Sequence, residues 1–455
     1  MQLVSINPAN GKTIKKYTTH TDLEVEKKIS QTNTAWLSWK NTAHADRSTL
    51  LNNLAAVLQR RKKQLAKLMA QEMGKPVTQG IAEIEKCASV CTYYAIYATE
   101  HLKDQLIKTE ATKSYVTFQP IGVVLAIMPW NFPFWQAFRF LVPALAAGNC
   151  GVLKHASNVP GCALAIEEMI IEAGFPKNVF QTLLVGSDRI DKIIENNLIK
   201  AVTITGSTNA GQKVAQKAGS LIKKTVLELG GSDAYIILED ADLEEAAEVC
   251  VNSRLINSGQ SCIAAKRFIV VKSVEKEFTR LFLEKMQTKK TGDPLDMATT
   301  VGPMARADLR DELHHQVERS ISSGAQCIIG GELPEGSNAY YPPTILTKVK
   351  KGMPAYDEEL FGPVAAVITA KDEADAINLA NDSVFGLGGA VFTKDKQRGE
   401  KIAATKLQAG SCFVNSLVKS DARLPFGGIK GSGYGRELGL FGIHEFVNIK
   451  TVYIA

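Results

Sequence analysis

Between residues 122 and 228, short apolar runs alternate with stretches of helical spacing, and this alternation narrows the possible folds more than any other feature of the chain. The runs at 122–128, 151–154, 179–184 and 201–205 have the length of strands. Helical spacing occupies 163–173, 188–195 and a stretch starting near Thr208. A strand followed by a helix returns the chain so that the next strand lies parallel, and the helices then cover the sheet. A second series of the same kind follows Glu228. Its strand-like runs are 234–238, 268–271, 364–369 and 411–414, and its helical stretches include 242–256, 274–286 and 305–322. The break between the series is Leu229-Gly230-Gly231-Ser232. The fold class is therefore α/β with doubly wound parallel sheets, whose ligands bind at the carboxyl ends of the strands.

The first third of the chain is helical. Asp22 is placed to cap a helix running towards Lys40, and residues 46–73 carry leucines near the spacing of one face. Gly74-Lys75-Pro76 stops that helix, and a third helix over 77–101 brings Tyr93, Tyr94 and Tyr97 as packing residues. Residues 114–119 alternate like a strand. The last residues are glycine-rich over 425–442 and then alternate over 447–454, as an edge strand needing a partner does.

A length of 455 residues suits two or three domains. The net charge of +6 is scattered, and the basic runs at 60–63 and 348–351 are short and lack interleaved aromatics, so they read as solvated faces and nucleic acid is not expected as a partner. The eight cysteines show no metal-ligand spacing, and no metal is expected. No apolar run is long enough to span a bilayer and no signal core opens the sequence, so no membrane partner and a reducing cytoplasmic setting are expected.

Chemistry has few places to sit. Cys262 closes the small polar turn Asn257-Ser258-Gly259-Gln260-Ser261. A thiol attacks as the thiolate, which calls for a lowered pKa and room for a substrate. Asn131, between the prolines of Pro129-Trp130-Asn131-Phe132-Pro133, can donate amide hydrogens to a negative oxygen. Glu228 closes an apolar strand before two glycines, where a carboxyl has a raised pKa and can act as a general base. Thr205-Gly206-Ser207-Thr208-Asn209-Ala210-Gly211 is a glycine turn between strand and helix, suited to a pyrophosphate. Taken singly, each has an ordinary reading: an inert buried thiol, a rigid turn, a carboxylate satisfied by backbone amides, a plain strand-to-helix turn.

Together they form an ordered set. Pro-Trp-Asn-Phe-Pro (129–133), Lys154, Gly-Phe-Pro (174–176), Thr-Gly-Ser-Thr (205–208), Glu-Leu-Gly-Gly (228–231), Gly-Gln-Ser-Cys (259–262), Glu-Glu-Leu-Phe-Gly-Pro-Val (358–364) and Pro-Phe-Gly-Gly-Ile-Lys-Gly-Ser-Gly (425–433) span nearly the whole chain. In this order they closely resemble the aldehyde dehydrogenase superfamily, and most of all the short bacterial succinate-semialdehyde dehydrogenases. The resemblance implies a Rossmann-like NAD(P)-binding domain (1–113 and 121–229), a catalytic domain (230–424), and small β oligomerisation elements (114–120 and 425–455). It implies Cys262 as the nucleophile, forming a thiohemiacetal and then a thioester. Asn131, with the Cys262 N–H, would hold the oxyanion, and Glu228 would activate the water that releases the acid. It implies that Glu359 holds the nicotinamide ribose, that Phe361 backs the ring, and that Trp130, Gly206 and Ser207 lie along the cofactor. A homodimer or homotetramer is implied as well.

Cofactor choice follows from charge. NAD-selective members of the superfamily carry a glutamate three residues after the lysine that matches Lys154; here that position is Ser157. A carboxylate would repel a 2′-phosphate, whereas a hydroxyl donates to it and Lys154 adds positive charge, so NADP is expected to be preferred, with NAD also possible. For the substrate, Arg139 matches an arginine that grips the distal carboxylate of succinate semialdehyde in those relatives, and Ser420 a serine sharing the task. A second arginine of many such enzymes is replaced by Ile256, and a redox-partner cysteine found in some members is Ala264. The alternatives are a dehydrogenase of glutarate semialdehyde, lactaldehyde or neutral aldehydes, a non-catalytic nucleotide-binding relative, and a cysteine hydrolase, for which no motif supplies a paired histidine.

Overall fold

The computed structural model describes residues 2–336 and 338–455. The first β/α series forms a sheet in the order Gly433–Tyr434, Lys224–Glu228, Ile199–Thr205, Val123–Met128, Cys150–His155, Phe180–Thr182. All its pairs are parallel except the one between Gly433–Tyr434 and Lys224–Glu228. The chain begins this sheet at Val123–Met128, builds outward to Phe180–Thr182, then returns to the other side with Ile199–Thr205. The order reverses between Val123–Met128 and Ile199–Thr205, and a crevice opens where the loops leaving those two strands part.

The second series forms a sheet in the order Gln326–Ile329, Thr344–Thr347, Val364–Ala370, Arg267–Val271, Ala234–Ile237, Gly388–Phe392, Ser411–Val414, antiparallel only at Gln326–Ile329. Its five inner strands are buried on both faces, as strands of a parallel sheet between helices must be, while the edge strands are partly exposed. Ile236, Ile269, Leu346 and Ile368 pack on one side. Tyr235, Phe268, Ile345 and Val367, their neighbours in sequence, pack on the other. A third, antiparallel sheet joins Val447–Ile454 to Lys113–Pro120 and Lys113–Pro120 to Gln105–Leu106.

Several expectations are refined. The first helix, Asp22–Trp39, is capped by Thr21 and not by Asp22: Thr21 Oγ1 accepts from the Glu24 N–H, and Glu24 Oε2 accepts from the Thr21 N–H at 2.7 Å. A hydroxyl one residue earlier reaches the free amides of the first turn, and Asp22 instead pairs with Arg189 and Lys192. Helix His44–Met73 ends on Gly74 with φ 78°, the left-handed stop that glycine adopts without strain. Of the tyrosines on helix Val77–His101, Tyr94 is buried while Tyr97 is exposed. Gly433–Tyr434, within the segment expected to bridge subunits, extends the first sheet instead, beside Glu228. No helix among the described residues is long and apolar enough to cross a membrane.

Candidate active site

The crevice at the strand-order reversal is a cavity of about 410 Å³. The loop after Val123–Met128 supplies Trp130 and Asn131 to its wall, and the turn after Ile199–Thr205 supplies Gly206 and Ser207. Gly230, Cys262, Glu359 and Phe361 come from the second series. Lys154, Ser157, Glu228, Arg139 and Ser420 lie outside these walls.

The turn carrying the thiol is held tightly. Asn257, Ser258 and Gly259 have φ of 53°, 54° and 77°, three successive left-handed residues of which only the last is a glycine. Such strain persists only where surrounding contacts over-determine it. Asn257 Nδ2 donates to the Asn131 carbonyl at 2.7 Å, and Ser258 Oγ accepts from the Gly302 N–H at 2.9 Å. Gln260 Oε1 accepts from the Ala305 N–H at 2.8 Å. Arg254 donates to the Gly259 carbonyl at 2.5 Å, and the Lys266 ammonium to the carbonyls of Ser261 and Cys262 at 2.8 and 2.6 Å. Gly259 has no room for a side chain, since a Cβ there would lie 2.2 Å from the Gly362 carbonyl oxygen. The thiol is thus fixed at the cavity wall, half-buried.

Its acidity departs from the expectation. Burial pushes the Cys262 thiol up to about 12, although Arg139 and Lys266 pull it back, so at rest it is protonated and its attack requires a proton acceptor. Glu228 is such a group. Its carboxyl is buried and raised well above the ordinary range, first by desolvation, with Arg139 opposing and Glu437 adding to the rise. Glu228 Oε1 has no hydrogen-bond partner among the described residues, and the strand geometry sets it against Gly427, where a Cβ would come within 2.7 Å. A desolvated carboxyl without such a partner holds its proton more tightly than an ordinary one and is a stronger base once it has lost it. Asn131 is buried and donates one Nδ2 hydrogen to the Gln260 carbonyl at 3.1 Å. An amide has two such hydrogens, which leaves one for an oxyanion.

The asparagine loop is anchored from below by residues that the sequence did not single out. Glu83 accepts from the N–H groups of Phe134 and Trp135, both at 2.9 Å, and is ion-paired with fully buried Lys75. His155 Nδ1 accepts from the Ala156 N–H at 2.8 Å, so its Nε2 carries the hydrogen and donates to the Pro133 carbonyl at 2.8 Å. Burial holds this imidazole neutral, down to about 4. Strand Cys150–His155 and the loop that bears Asn131 are thereby tied together.

The cavity suits a dinucleotide. Ser207 caps helix Thr208–Ser220, accepting from the Ala210 N–H, and its N-terminal dipole favours a phosphate. The missing side chain of Gly230 leaves space for Glu359, whose Oε2 would be 2.6 Å from a Cβ there. Glu359 Oε1 accepts from the Gly231 N–H at 3.0 Å. Phe361 stands edge-on to Trp130 with ring centroids 5.7 Å apart. Lys154 is buried at the end of Cys150–His155 and desolvation lowers its pKa, while Ser157 is exposed just beyond it.

Arg139 carries an internal ion pair, the structural alternative to a guanidinium that faces the substrate. It is not an open guanidinium. It is buried, ion-paired with Glu437, stacked over the Phe426 ring at 4.5 Å, and 3.5 Å from Thr205 Oγ1. An unmatched guanidinium among aromatic residues would be costly, and Glu437, from the far end of the chain, neutralises it. Replacing Arg139 by alanine is expected to strand the Glu437 carboxylate, destabilising the fold by about 3–5 kcal/mol in a denaturant titration. Activity should then fall alike for acidic and neutral aldehydes; a loss confined to acidic ones would restore the direct grip. Ser420 is buried, and its Oγ accepts from Lys86 Nζ at 2.8 Å and from Trp135 Nε1 at 3.1 Å.

The comparisons with known proteins agree with this construction. The Aldehyde dehydrogenase family matches residues 1–452. The chain is 49% identical over 455 residues, covering all of both chains, to a Synechocystis protein named "Probable succinate-semialdehyde dehydrogenase (NADP+)". It is 44% identical over 450 residues to an Escherichia coli succinate semialdehyde dehydrogenase (NAD(P)+), covering 99% of this chain and 97% of that one. The crystal structure of a Streptococcus pyogenes succinic semialdehyde dehydrogenase in complex with NADP+ superposes with a TM-score of 0.97 at 36% identity, over 99% of each chain. A strained cysteine turn facing a dinucleotide crevice, an amide beside it and a desolvated carboxyl behind it place this chain in the aldehyde dehydrogenase family.

Proposed function

We propose that this protein oxidises succinate semialdehyde to succinate with NADP, through a covalent intermediate on Cys262. The observation that carries the reaction type is the thiol fixed on the wall of the dinucleotide cavity, with Asn131 on the same wall. Sulfur attacks the aldehyde carbon as its proton passes to the deprotonated Glu228 carboxyl, which returns it to solvent before the hydrolytic step, and the new oxyanion is held by the free hydrogen of Asn131 and the Cys262 N–H. A bound nicotinamide supplies the hydride acceptor for the thiohemiacetal. Cys262 then carries the acyl group as a thioester, and Glu228 takes a proton from the water that attacks it. The presence of a base at Glu228 favours hydrolysis over transfer to coenzyme A.

Two features support the substrate reading. Relatives at 49% and 44% identity carry that name. Ser420 also has both oxygen lone pairs occupied by donors, so its own hydrogen is left for an anion such as a carboxylate. The cofactor reading rests on Lys154 and Ser157, with no carboxylate at 157 to repel a 2′-phosphate. The open outer edge of Val447–Ile454 supports at least a dimer, and eight free cysteines suit a cytoplasmic setting.

The test is an aldehyde panel assayed with both cofactors. Succinate semialdehyde should give the highest kcat/KM, ahead of butanal, lactaldehyde and glutarate semialdehyde, and NADP should exceed NAD. Ser157→Glu should reverse the cofactor order, lowering kcat/KM for NADP by about 10- to 100-fold through a lost hydrogen bond to a charged group. A wild-type enzyme already more efficient with NAD would overturn the cofactor assignment.

A further inference from the structure

We propose that Lys86, together with Ser420, is the seat of the substrate's distal carboxylate. This rests on the semialdehyde reading above and names the cation that the reading requires, now that Arg139 is matched by Glu437. Lys86 projects from helix Val77–His101, half-buried, with Nζ on Ser420 Oγ and 4.3 Å from the centre of the Trp135 ring.

The cluster is incomplete in one specific way. A hydroxyl has two lone pairs and one hydrogen, and an ammonium has three hydrogens. Ser420 uses both lone pairs on Lys86 and Trp135, and its hydrogen has no acceptor among the described residues. Lys86 uses one hydrogen on Ser420 and makes no ion pair among the described residues. The nearby carboxylates are committed elsewhere. Glu83 is held by Lys75 and two backbone amides, Asp421 by Arg423, and Glu437 by Arg139. Desolvation lowers Lys86 to about 8, with Arg139 adding repulsion. A partly desolvated cation beside a free hydroxyl hydrogen is relieved by an arriving anion, and a carboxylate, with two oxygens, can accept from both at once.

The cluster also belongs to the reaction's surroundings. Trp135 opens helix Trp135–Ala146, four residues after Asn131. The charge of Arg139, one turn further along that helix, is felt at both Lys86 and the Cys262 thiol. Gln136, next in sequence to Trp135, lines the cavity together with Cys262. In the proposed arrangement a short aldehyde with a terminal carboxylate meets the thiol at one end and this cluster at the other, while a neutral aldehyde leaves Lys86 unmatched.

The experiment is steady-state kinetics of the full-length enzyme with NADP, comparing wild type, Lys86→Met and Lys86→Arg on succinate semialdehyde and butanal. For Lys86→Met the KM for succinate semialdehyde should rise about 10- to 100-fold, the loss of a charge-assisted hydrogen bond. The ratio of kcat/KM values, succinate semialdehyde over butanal, should fall by the same factor, and Lys86→Arg should recover much of it. An unchanged ratio in Lys86→Met, or an equal loss on both aldehydes, would overturn the assignment. A second readout separates it from the substrate reading: protection of Cys262 from alkylation by added succinate should need higher succinate in Lys86→Met. Protection that depends on Lys86 in an enzyme that does not favour succinate semialdehyde would sink the substrate reading and keep the carboxylate seat. Protection independent of Lys86 would count against the seat.

Discussion

Cys262→Ala is expected to lose aldehyde oxidation by at least about 10⁴-fold, because removing a nucleophile removes the covalent route altogether. The loss should be in kcat, with no pre-steady-state burst of reduced cofactor. The fold should be unaffected, since the turn is held by Asn257, Ser258, Gln260, Arg254 and Lys266 through their own hydrogen bonds, none of which uses the sulfur. An alanine variant that still turned over aldehyde would show that the half-buried thiol is a packing residue. Because burial holds the thiol up to about 12, the wild-type rate should also rise with pH across neutrality, as the fraction of thiolate and the capacity of its proton acceptor both increase.

Glu228→Gln is expected to separate the two halves of the reaction. Losing the general base should lower kcat by about 10²- to 10⁴-fold. One equivalent of reduced cofactor should still appear in a burst, with the acyl group stranded on Cys262 and detectable by mass. The sign of the pH effect follows from the direction of the shift. Desolvation raises the Glu228 carboxyl well above its ordinary range, so the basic form is lost as pH falls through that raised value. The acid limb of the wild-type kcat profile should therefore lie above the usual carboxylate range, and the glutamine variant should lack it. A glutamine variant without a burst would mean that Glu228 serves the thiol's deprotonation as its main task. Unchanged turnover would remove it from the mechanism.

What the sequence made legible was local. Gly74 announced a helix end because glycine alone adopts the left-handed stop without strain, and the apolar run before Asn131 announced a strand because it is too short and too apolar for anything else. Strand Gly388–Phe392 is not marked by the sequence because it opens on two glycines, a poor strand signal, yet it is an interior strand, second from one edge of its sheet. Cys262, Asn131, Ser207, Glu359 and Phe361 were found because each sits in a recognisable run, and the fold brings all of them to one cavity. The pairing of Arg139 with Glu437 was invisible, since the two come from distant segments and meet only when Gly433–Tyr434 adds to the first sheet and carries the following residues inward. Nothing in the sequence marks Lys75, Lys86, Arg254 and Lys266 as desolvated cations, because burial of a lysine or arginine is a property of the packing and leaves no mark in the neighbouring letters.

The antiparallel sheet of the last strand has a consequence for anyone trimming the molecule. Val447–Ile454 is bonded along one edge to Lys113–Pro120 and presents the other edge, with Ile449, Tyr453 and Ile454 exposed. Cutting those residues away would not blunt the sticky edge; it would move it one strand inward. Lys113–Pro120 has only the two-residue Gln105–Leu106 on its far side, so it would offer a longer stretch of unpaired backbone than it does now. A shortened chain should therefore be more prone to self-association, and solubility is better sought by placing charge on the outer face of the last strand than by removing it.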